Sequence, residues 1–192
     1  NAFVTQMVSV KGASEWDTGI ADTLFLITTN AIRTGVDLLV RRQEDPQYLG
    51  RDVMNSTAVG QTRLLETDPG VPAAFAMLLR NTGNETNTYL LRGPSGAGGW
   101  RIVYLDGLSS GQDVTPQITS GPGLRKTLPP SADLELAISL IPDVGLAGGS
   151  AQDALVSAVD EDAPSFIDVV KAVATVAASN TSPQGGTYTL NN

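Results

Sequence analysis

The most regular hydrophobic pattern in the chain lies between two prolines, Pro130 and Pro142. Every second residue between them is a large aliphatic one, and the residues that alternate with them are polar or small. The aliphatic positions are Leu134, Leu136, Ile138 and Leu140. A period of two predicts a strand with one buried face, which is typical of antiparallel sheets. Proline cannot donate a ladder hydrogen bond, so the two prolines bound the strand.

Similar alternation between Gly, Pro and Asn turns predicts further strands. The convincing segments are residues 73–80, 100–105, 133–141, 152–159 and 168–176, with additional strands at 22–29, 36–40, 61–66 and 86–92. The turn at Asn81, Thr82, Gly83 and Asn84 favours a hairpin, because Asn and Gly tolerate positive φ. Residues 41–60 predict a long surface loop, and residues 107–123 predict only short pieces on an edge. Residues 168–178 are Ala-rich and also compatible with a helix, although their alternating valines favour a strand.

The predicted fold is therefore an all-β, antiparallel, Ig-like β-sandwich with an N-terminal strand extension. Aromatic residues make up only 5% of the chain, so a large anchor is needed in the core. Trp100, Ile102 and Tyr104 share one strand face and meet that need. The predicted core consists of Phe75, Met77, Trp100, Ile102, Tyr104, Leu134, Leu136, Ile138 and Leu140.

The first strand is apolar on both sides. Phe3 and Met7 fall on one side, and Val4, Val8 and Val10 on the other, which suits a strand buried between two layers. Such a strand is an aggregation hazard if its edge stays unpaired. We expect it to act as a donor strand to a neighbouring copy, and the alternative is that it completes its own sandwich.

Composition supports many short strands and excludes several kinds of chemistry. The 192 residues include 20 Gly and 11 Pro, and 41% are hydrophobic. With 12 basic against 20 acidic residues the net charge is −8, which argues against a nucleic-acid partner. The chain has no Cys and no His, so disulfides, thiol nucleophiles, Ser-His-Asp triads and Cys/His zinc sites are excluded. We expect no catalytic residue, no metal and no cofactor.

Three other patterns suggest binding or modification. Trp16 and Tyr48 lie in predicted loops and are candidates for an exposed contact, including sugar stacking, whereas the run Asp160-Glu161-Asp162 predicts a solvated acidic turn or a calcium ligand set. The candidate glycosylation sites, each an Asn-x-Ser/Thr sequence, are Asn55, Asn84 and Asn180.

The order of turn and core motifs resembles that of prokaryotic extracellular Ig-like modules of the CARDB and galactosidase-associated kind. The matching motifs are Asn81-Thr82-Gly83-Asn84, Thr88-Tyr89-Leu90-Leu91, Gly99-Trp100-Arg101-Ile102, Leu128-Pro129-Pro130-Ser131-Ala132, Ile141-Pro142 and Asp168. The resemblance implies a seven- or eight-stranded sandwich from a large secreted or cell-surface protein, without an enzymatic role. It divides the chain into an extension (1–35), a sandwich (36–178) and a polar tail (179–192).

The sequence is compatible with two functions. The first is a non-enzymatic structural subunit of an extracellular assembly, such as a filament, a pilus-like fibre or a surface layer, which polymerises with copies of itself by strand addition. The second is a carbohydrate-binding or spacer module that contacts cell-surface glycans. An initial Asn1 and the lack of any apolar stretch of about 18 residues favour a secreted or cell-surface protein without a membrane span.

Overall fold

A computed structural model describes residues 5–17, 19–108 and 110–178, and it confirms the all-β sandwich. Within those residues the chain forms twelve strands and one short helix. In order they are β1 (Thr5–Ala13), β2 (Ala21–Thr29), β3 (Val36–Arg42), β4 (Thr62–Thr67), β5 (Ala73–Asn81), β6 (Asn87–Arg92), β7 (Trp100–Asp106), β8 (Gln112–Asp113), α1 (Thr115–Thr119), β9 (Leu124–Leu128), β10 (Asp133–Pro142), β11 (Ala151–Asp160) and β12 (Ile167–Val176).

Two five-stranded sheets form the sandwich. The first sheet has the order β3-β5-β10-β7-β8 and is antiparallel throughout. The second has the order β4-β12-β11-β6-β9, and its β4–β12 pair is parallel, which the sequence pattern did not predict. β1 and β2 form a third, two-stranded sheet of their own.

The strand with the clearest alternation, β10, lies at the centre of the first sheet. Its register places Ile138 opposite Phe75 on β5 and opposite Tyr104 on β7, so three large side chains meet on the inner face. The residues proposed for the core lie as follows: Phe75, Met77, Trp100, Ile102, Tyr104, Leu136, Ile138 and Leu140 are buried, and Leu134 is partly buried at the margin. The inner face of the second sheet supplies mostly small side chains, such as Ala154, Val156 and Ala172.

In three segments the structure either differs from the sequence prediction or decides between two predicted alternatives. Residues 168–176 are a strand, so the helical alternative is wrong. The segment 107–123, where short edge strands were expected, also contains a helical turn, α1. Pro116 lies in the first turn of α1, and Ile118 is its buried residue. The strand β9 was missed, because its five residues include Arg125 and Lys126 and show little periodicity.

No helix among the residues that the structure describes is both long enough and apolar enough to cross a membrane.

The central position of β10 generates a stability prediction. Replacement of Ile138, which is fully buried, by Ala should lower the free energy of unfolding by about 2–5 kcal/mol, because the lost methyl groups leave a cavity. Denaturant unfolding monitored by circular dichroism measures this loss. Glu135→Ala is the matched control on the same strand. Glu135 is exposed and accepts one hydrogen bond from Tyr48, so its loss should cost about 1 kcal/mol or less. Equal costs at the two positions would contradict the assigned faces.

Candidate assembly surface

The two-stranded sheet β1–β2 is an apolar hairpin, and both of its faces carry large hydrophobic side chains. Directly opposed residues share a face in an antiparallel pair. Val8 lies opposite Leu26 and Val10 opposite Leu24, so these four form one aliphatic face. On the other face Met7 lies opposite Ile27, with Phe25 two residues away.

These side chains are exposed in the single chain. The seven large hydrophobic residues of the two strands expose between 46% and 66% of their surface. The expectation that this segment lies between two layers is therefore wrong for one copy of the chain. Its strand also does not complete its own sandwich, because β1 pairs with β2. Contiguous apolar patches of this kind mark interaction surfaces in soluble proteins.

The tip of the hairpin presents an aromatic side chain to solvent. The Ser14 hydroxyl accepts hydrogen bonds from the backbone N–H groups of Trp16 and Asp17, each at 3.2 Å, and the Asp17 carboxylate accepts one from Gly19 at 2.9 Å. This turn holds the Trp16 indole outward, where it is 96% exposed. The tip thus adds a large aromatic contact to the apolar strands.

The base of the hairpin is fastened to the turn between β5 and β6. Asn84 accepts a hydrogen bond from the Arg33 backbone N–H at 2.8 Å and donates one to the Ala31 carbonyl at 2.7 Å. The Arg33 guanidinium donates to the Thr82 carbonyl at 2.9 Å. At Gly83 a Cβ atom would lie 2.5 Å from the Arg33 carbonyl oxygen, so only glycine fits this approach. The arm therefore has a defined point of attachment.

One edge of the sandwich, along β3, is closed by side chains. The Asp168 carboxylate on β12 accepts a hydrogen bond from the Leu38 backbone N–H at 2.7 Å, and the Gln61 amide donates to the Leu38 carbonyl at 2.9 Å. Val40 exchanges two backbone hydrogen bonds with Leu49. These contacts occupy the outward groups of Leu38 and Val40, so β3 cannot accept an added strand there.

Two carboxylates at this closed edge are buried, and removal from water disfavours their charged forms. Asp168 is fully buried, and burial raises its pKa although it accepts four hydrogen bonds, from Leu38, Asn55, Gln61 and Val169. Burial also raises the pKa of Asp37 to about 6, helped by the nearby Asp168 charge and opposed by the Asp52 N–H and Arg80. One Asp37 oxygen has no hydrogen-bond partner within the described residues.

The other candidate residues, Tyr48 and Asn55, lie apart from the hairpin, and their side chains form hydrogen bonds within the chain. The Tyr48 hydroxyl donates a hydrogen bond to Glu135 at 2.8 Å, and the Arg41 guanidinium lies 4.9 Å from the centroid of the Tyr48 ring. Tyr48 is therefore partly covered, and of the two loop aromatics Trp16 is the exposed one. The Asn55 amide donates to the Val59 carbonyl and to Gln61, at 3.0 and 2.7 Å. Glycosylation of Asn55 or Asn84 stays a prediction that requires these amide groups to be released.

The acidic turn after β11 is a structural turn more than a solvated one. Asp160 is fully buried, and its carboxylate accepts hydrogen bonds from the backbone N–H groups of Asp162 and Ala163, at 3.0 and 3.1 Å, and from the Asn87 amide. The expectation of an exposed run is therefore wrong at Asp160. Among residues 5–17, 19–108 and 110–178 no group of three or more acidic side chains is placed to hold a metal ion.

Three of the predicted positions fall outside the described residues, namely Phe3, Val4 and Asn180. Met7, Val8 and Val10 lie on β1 of the apolar hairpin. Sequence reasoning missed β2 as the partner of β1, and it missed the closure of β3 by Asp168 and Gln61. The signal for Asp168 was present, since an acidic residue directly precedes the apolar run of β12.

Comparisons with known proteins show similarity at the level of the fold only. No protein-family model matches the chain, and no curated protein matches it. Among solved structures, the chain is similar to a family 123 glycoside hydrolase from Clostridium perfringens, with 8% identity, a TM-score of 0.47, and coverage of 74% of this chain and 27% of that one. It is also similar to the major pilin subunit of Bacillus cereus, with 11% identity, a TM-score of 0.37, and coverage of 89% and 48%. A PapD-like domain of human CEP192 shows 12% identity, a TM-score of 0.37, and coverage of 73% and 84%.

The chain thus spans about a quarter of the hydrolase and about half of the pilin subunit. These likenesses assign no function to this chain.

The buried carboxylates at the β3 edge generate a pH prediction. The folded-state pKa of Asp37, about 6, exceeds its ordinary value of 3.8, so the folded chain holds this proton more tightly than the unfolded chain. Asp37 therefore favours folding most below pH 4, and this contribution is lost as the pH rises to 6 and above. Relative to Asp37→Asn, the parent protein should lose about 1–3 kcal/mol of unfolding free energy between pH 4 and pH 7.

Denaturant titrations of both proteins at several pH values measure this difference. Asp113→Asn is the matched control. The hydrogen bonds that the exposed Asp113 carboxylate accepts from Thr115 lower its pKa, so its contribution to stability changes with pH in the opposite direction to that of Asp37. A constant difference between the parent and Asp37→Asn across pH 4–7 would contradict the assignment.

Proposed function

We propose that this chain is a non-enzymatic structural subunit of an extracellular or cell-surface assembly, and that copies of it associate through the apolar hairpin. One observation carries the proposal, namely that both faces of β1–β2 are apolar and exposed in the single chain. The resemblance to prokaryotic extracellular Ig-like modules supports the surface setting.

The hairpin is poorly suited to remain free in water. An isolated two-stranded hairpin is marginally stable by itself. Its seven large side chains are each about half exposed, so covering them would contribute roughly 5–10 kcal/mol before the entropic cost of association. Among the described residues each strand also pairs on one side only, and an open outer edge favours pairing with another chain.

A second copy of the chain is the partner that this surface predicts. If the hairpin of one copy docks on the body of the next, the contact is head-to-tail, and it produces a ring or an open filament according to its rotation. The donor unit is then the whole hairpin, and Met7, Val8 and Val10 act together with the β2 residues opposite them. This replaces the single donor strand that the sequence suggested.

One observation favours a second function, that of a carbohydrate-binding or spacer module. The Trp16 indole stands at the tip of the arm with 96% of its surface exposed, as a sugar-stacking platform requires. In this alternative the chain stays monomeric and Trp16→Ala removes binding to a glycan array. Assembly without glycan binding supports the structural role.

A charge on the aliphatic face of the hairpin should weaken assembly. Leu26→Lys should weaken self-association by about 10- to 100-fold, because one large side chain contributes about 1.5–3 kcal/mol when it is buried. Sedimentation velocity over a range of concentrations measures this change, and negative-stain imaging shows whether the parent forms fibres, rings or lattices.

Val144→Lys is the matched control. Val144 is 86% exposed in the turn after β10 and belongs to no strand, so its replacement should leave association unchanged. A parent protein that stays monomeric at every concentration, or a Leu26→Lys protein that assembles like the parent, would remove the proposal. The melting temperature of each variant should match that of the parent, since Leu26 lies outside the sandwich core.

A further inference from the structure

The four edge strands of the sandwich differ in their ability to accept another strand. β3 is closed by Asp168, Gln61 and Leu49. β8 has only two residues, which is too short for a ladder. β9 carries Arg125 and Lys126, which pair with Glu161 and Asp106, and charged residues on an edge discourage pairing.

β4 carries one basic residue, Arg63, which pairs with Asp45, and one acidic residue, Glu66, so it lacks the two neighbouring cations of β9. Unlike those of β3, its outward backbone groups receive no hydrogen bond from a side chain or loop among the described residues.

Gln61, which directly precedes β4, and Thr67, its last residue, accept backbone hydrogen bonds from Lys171 and Ala177 on the β12 side. Because hydrogen bonds of a parallel ladder use alternate residues, Arg63 and Leu65 also face β12, while the backbone groups of Thr62, Leu64 and Glu66 face outward. Within the described part of the chain these outward groups have no backbone partner.

Both sides of β4 carry apolar side chains among polar ones. On the inner side a cleft of about 340 Å³ lies between β4 and the segment after β3, and its lining is mixed: Leu65, Pro72 and Ala74 lie there together with Arg42, Gln43, Glu44 and Asp45. On the outer side Leu64 is 59% exposed and lies opposite Val173 on β12. Leu155 on β11, which is 44% exposed, is a diagonal neighbour of Val173 and extends this row.

We propose that the open edge of β4 is the acceptor for the apolar hairpin of a second copy of this chain. This inference rests on the proposed function and names the surface that the hairpin uses. A strand added beside β4 has one face over the inner cleft and the other beside Leu64 and Val173. The added strand provides hydrogen-bond partners for the outward backbone groups of Thr62, Leu64 and Glu66. Its apolar side chains then lie beside Leu65 on the inner side and beside Leu64 and Val173 on the outer side.

The dimensions are compatible with such an interface. β4 has six residues, and each hairpin strand has nine, so the donor spans the whole edge. The seven large side chains of the hairpin expose roughly 700 Å² on its two faces together, which is an upper limit for the apolar area it can bury and is comparable with the ~800 Å² that each partner gives to a standard protein interface. Main-chain hydrogen bonds then provide the ladder and the side chains fix its register.

The test separates the donor from the acceptor by complementation. Leu64→Pro removes an outward N–H without removing a ladder hydrogen bond to β12, so it blocks the acceptor and keeps the hairpin. Leu26→Lys blocks the donor and keeps β4. Each variant alone should associate at least tenfold more weakly than the parent, and an equimolar mixture should form a heterodimer, because one intact hairpin meets one intact β4 edge.

Sedimentation velocity of each variant and of the mixture gives the readout, with Val144→Lys as the matched control. A Leu64→Pro protein that assembles like the parent, or a mixture that stays monomeric, overturns the inference. If Leu64→Pro lowers the melting temperature strongly, Leu64→Lys replaces it, since a lysine on an exposed edge position blocks pairing without a proline in the strand.

The two levels of the proposal fail differently. If Leu26→Lys abolishes assembly but both Leu64 variants assemble, the hairpin is the donor and β4 is not its acceptor. If Leu26→Lys also assembles like the parent, the proposed function itself is wrong.

Discussion

Backbone hydrogen bonding at the rims of the sheets is the constraint on which the rest of this structure depends. A strand inside a sheet satisfies its N–H and C=O groups on both sides, whereas an edge strand satisfies only one. The sandwich has four edges, and it closes β3 with a buried carboxylate and a buried amide, Asp168 and Gln61. This closure requires a carboxylate in a desolvated position, where its pKa is raised. The β4 edge has no such closure among the described residues, and we infer that the closure is supplied by another copy.

The sandwich core and the apolar hairpin differ in how the single chain buries their hydrophobic residues. In the sandwich, alternation directs Ile138 and Leu140 inward, and the outer positions of β10 are polar or small, so one copy satisfies its own core. In the hairpin, apolar residues occupy both faces, and the single chain covers neither of them. Large hydrophobic residues on both faces of an exposed hairpin favour a state in which a partner covers them. The assembly proposal follows from this contrast and not from any likeness to a known protein.

Period-two patterning was sufficient to predict the fold because β7, β10 and β11 bury alternate residues, although β5 is buried on both faces. The Asn81 turn and the two prolines around β10 set the boundaries correctly. Pattern alone did not predict the parallel β4–β12 pair, since pairing direction depends on the chain path and not on local alternation. The partner of β1 was also missed, because two strands that are apolar on both sides look like buried strands in sequence. Asp168 could be placed only in three dimensions, where it contacts Leu38, a residue 130 positions away.

The most direct test of the account is hydrogen–deuterium exchange measured on the dissociated and on the concentrated protein. If the hairpin of one copy pairs with β4 of the next, backbone amides of β1 and β2 and the outward amide of Leu64 should exchange rapidly in dilute solution and become protected as the copies associate. Amides of β10 should be protected under both conditions, because that strand is paired on both sides within one chain. Exchange of the hairpin and of β4 that does not change with concentration would contradict the central claim.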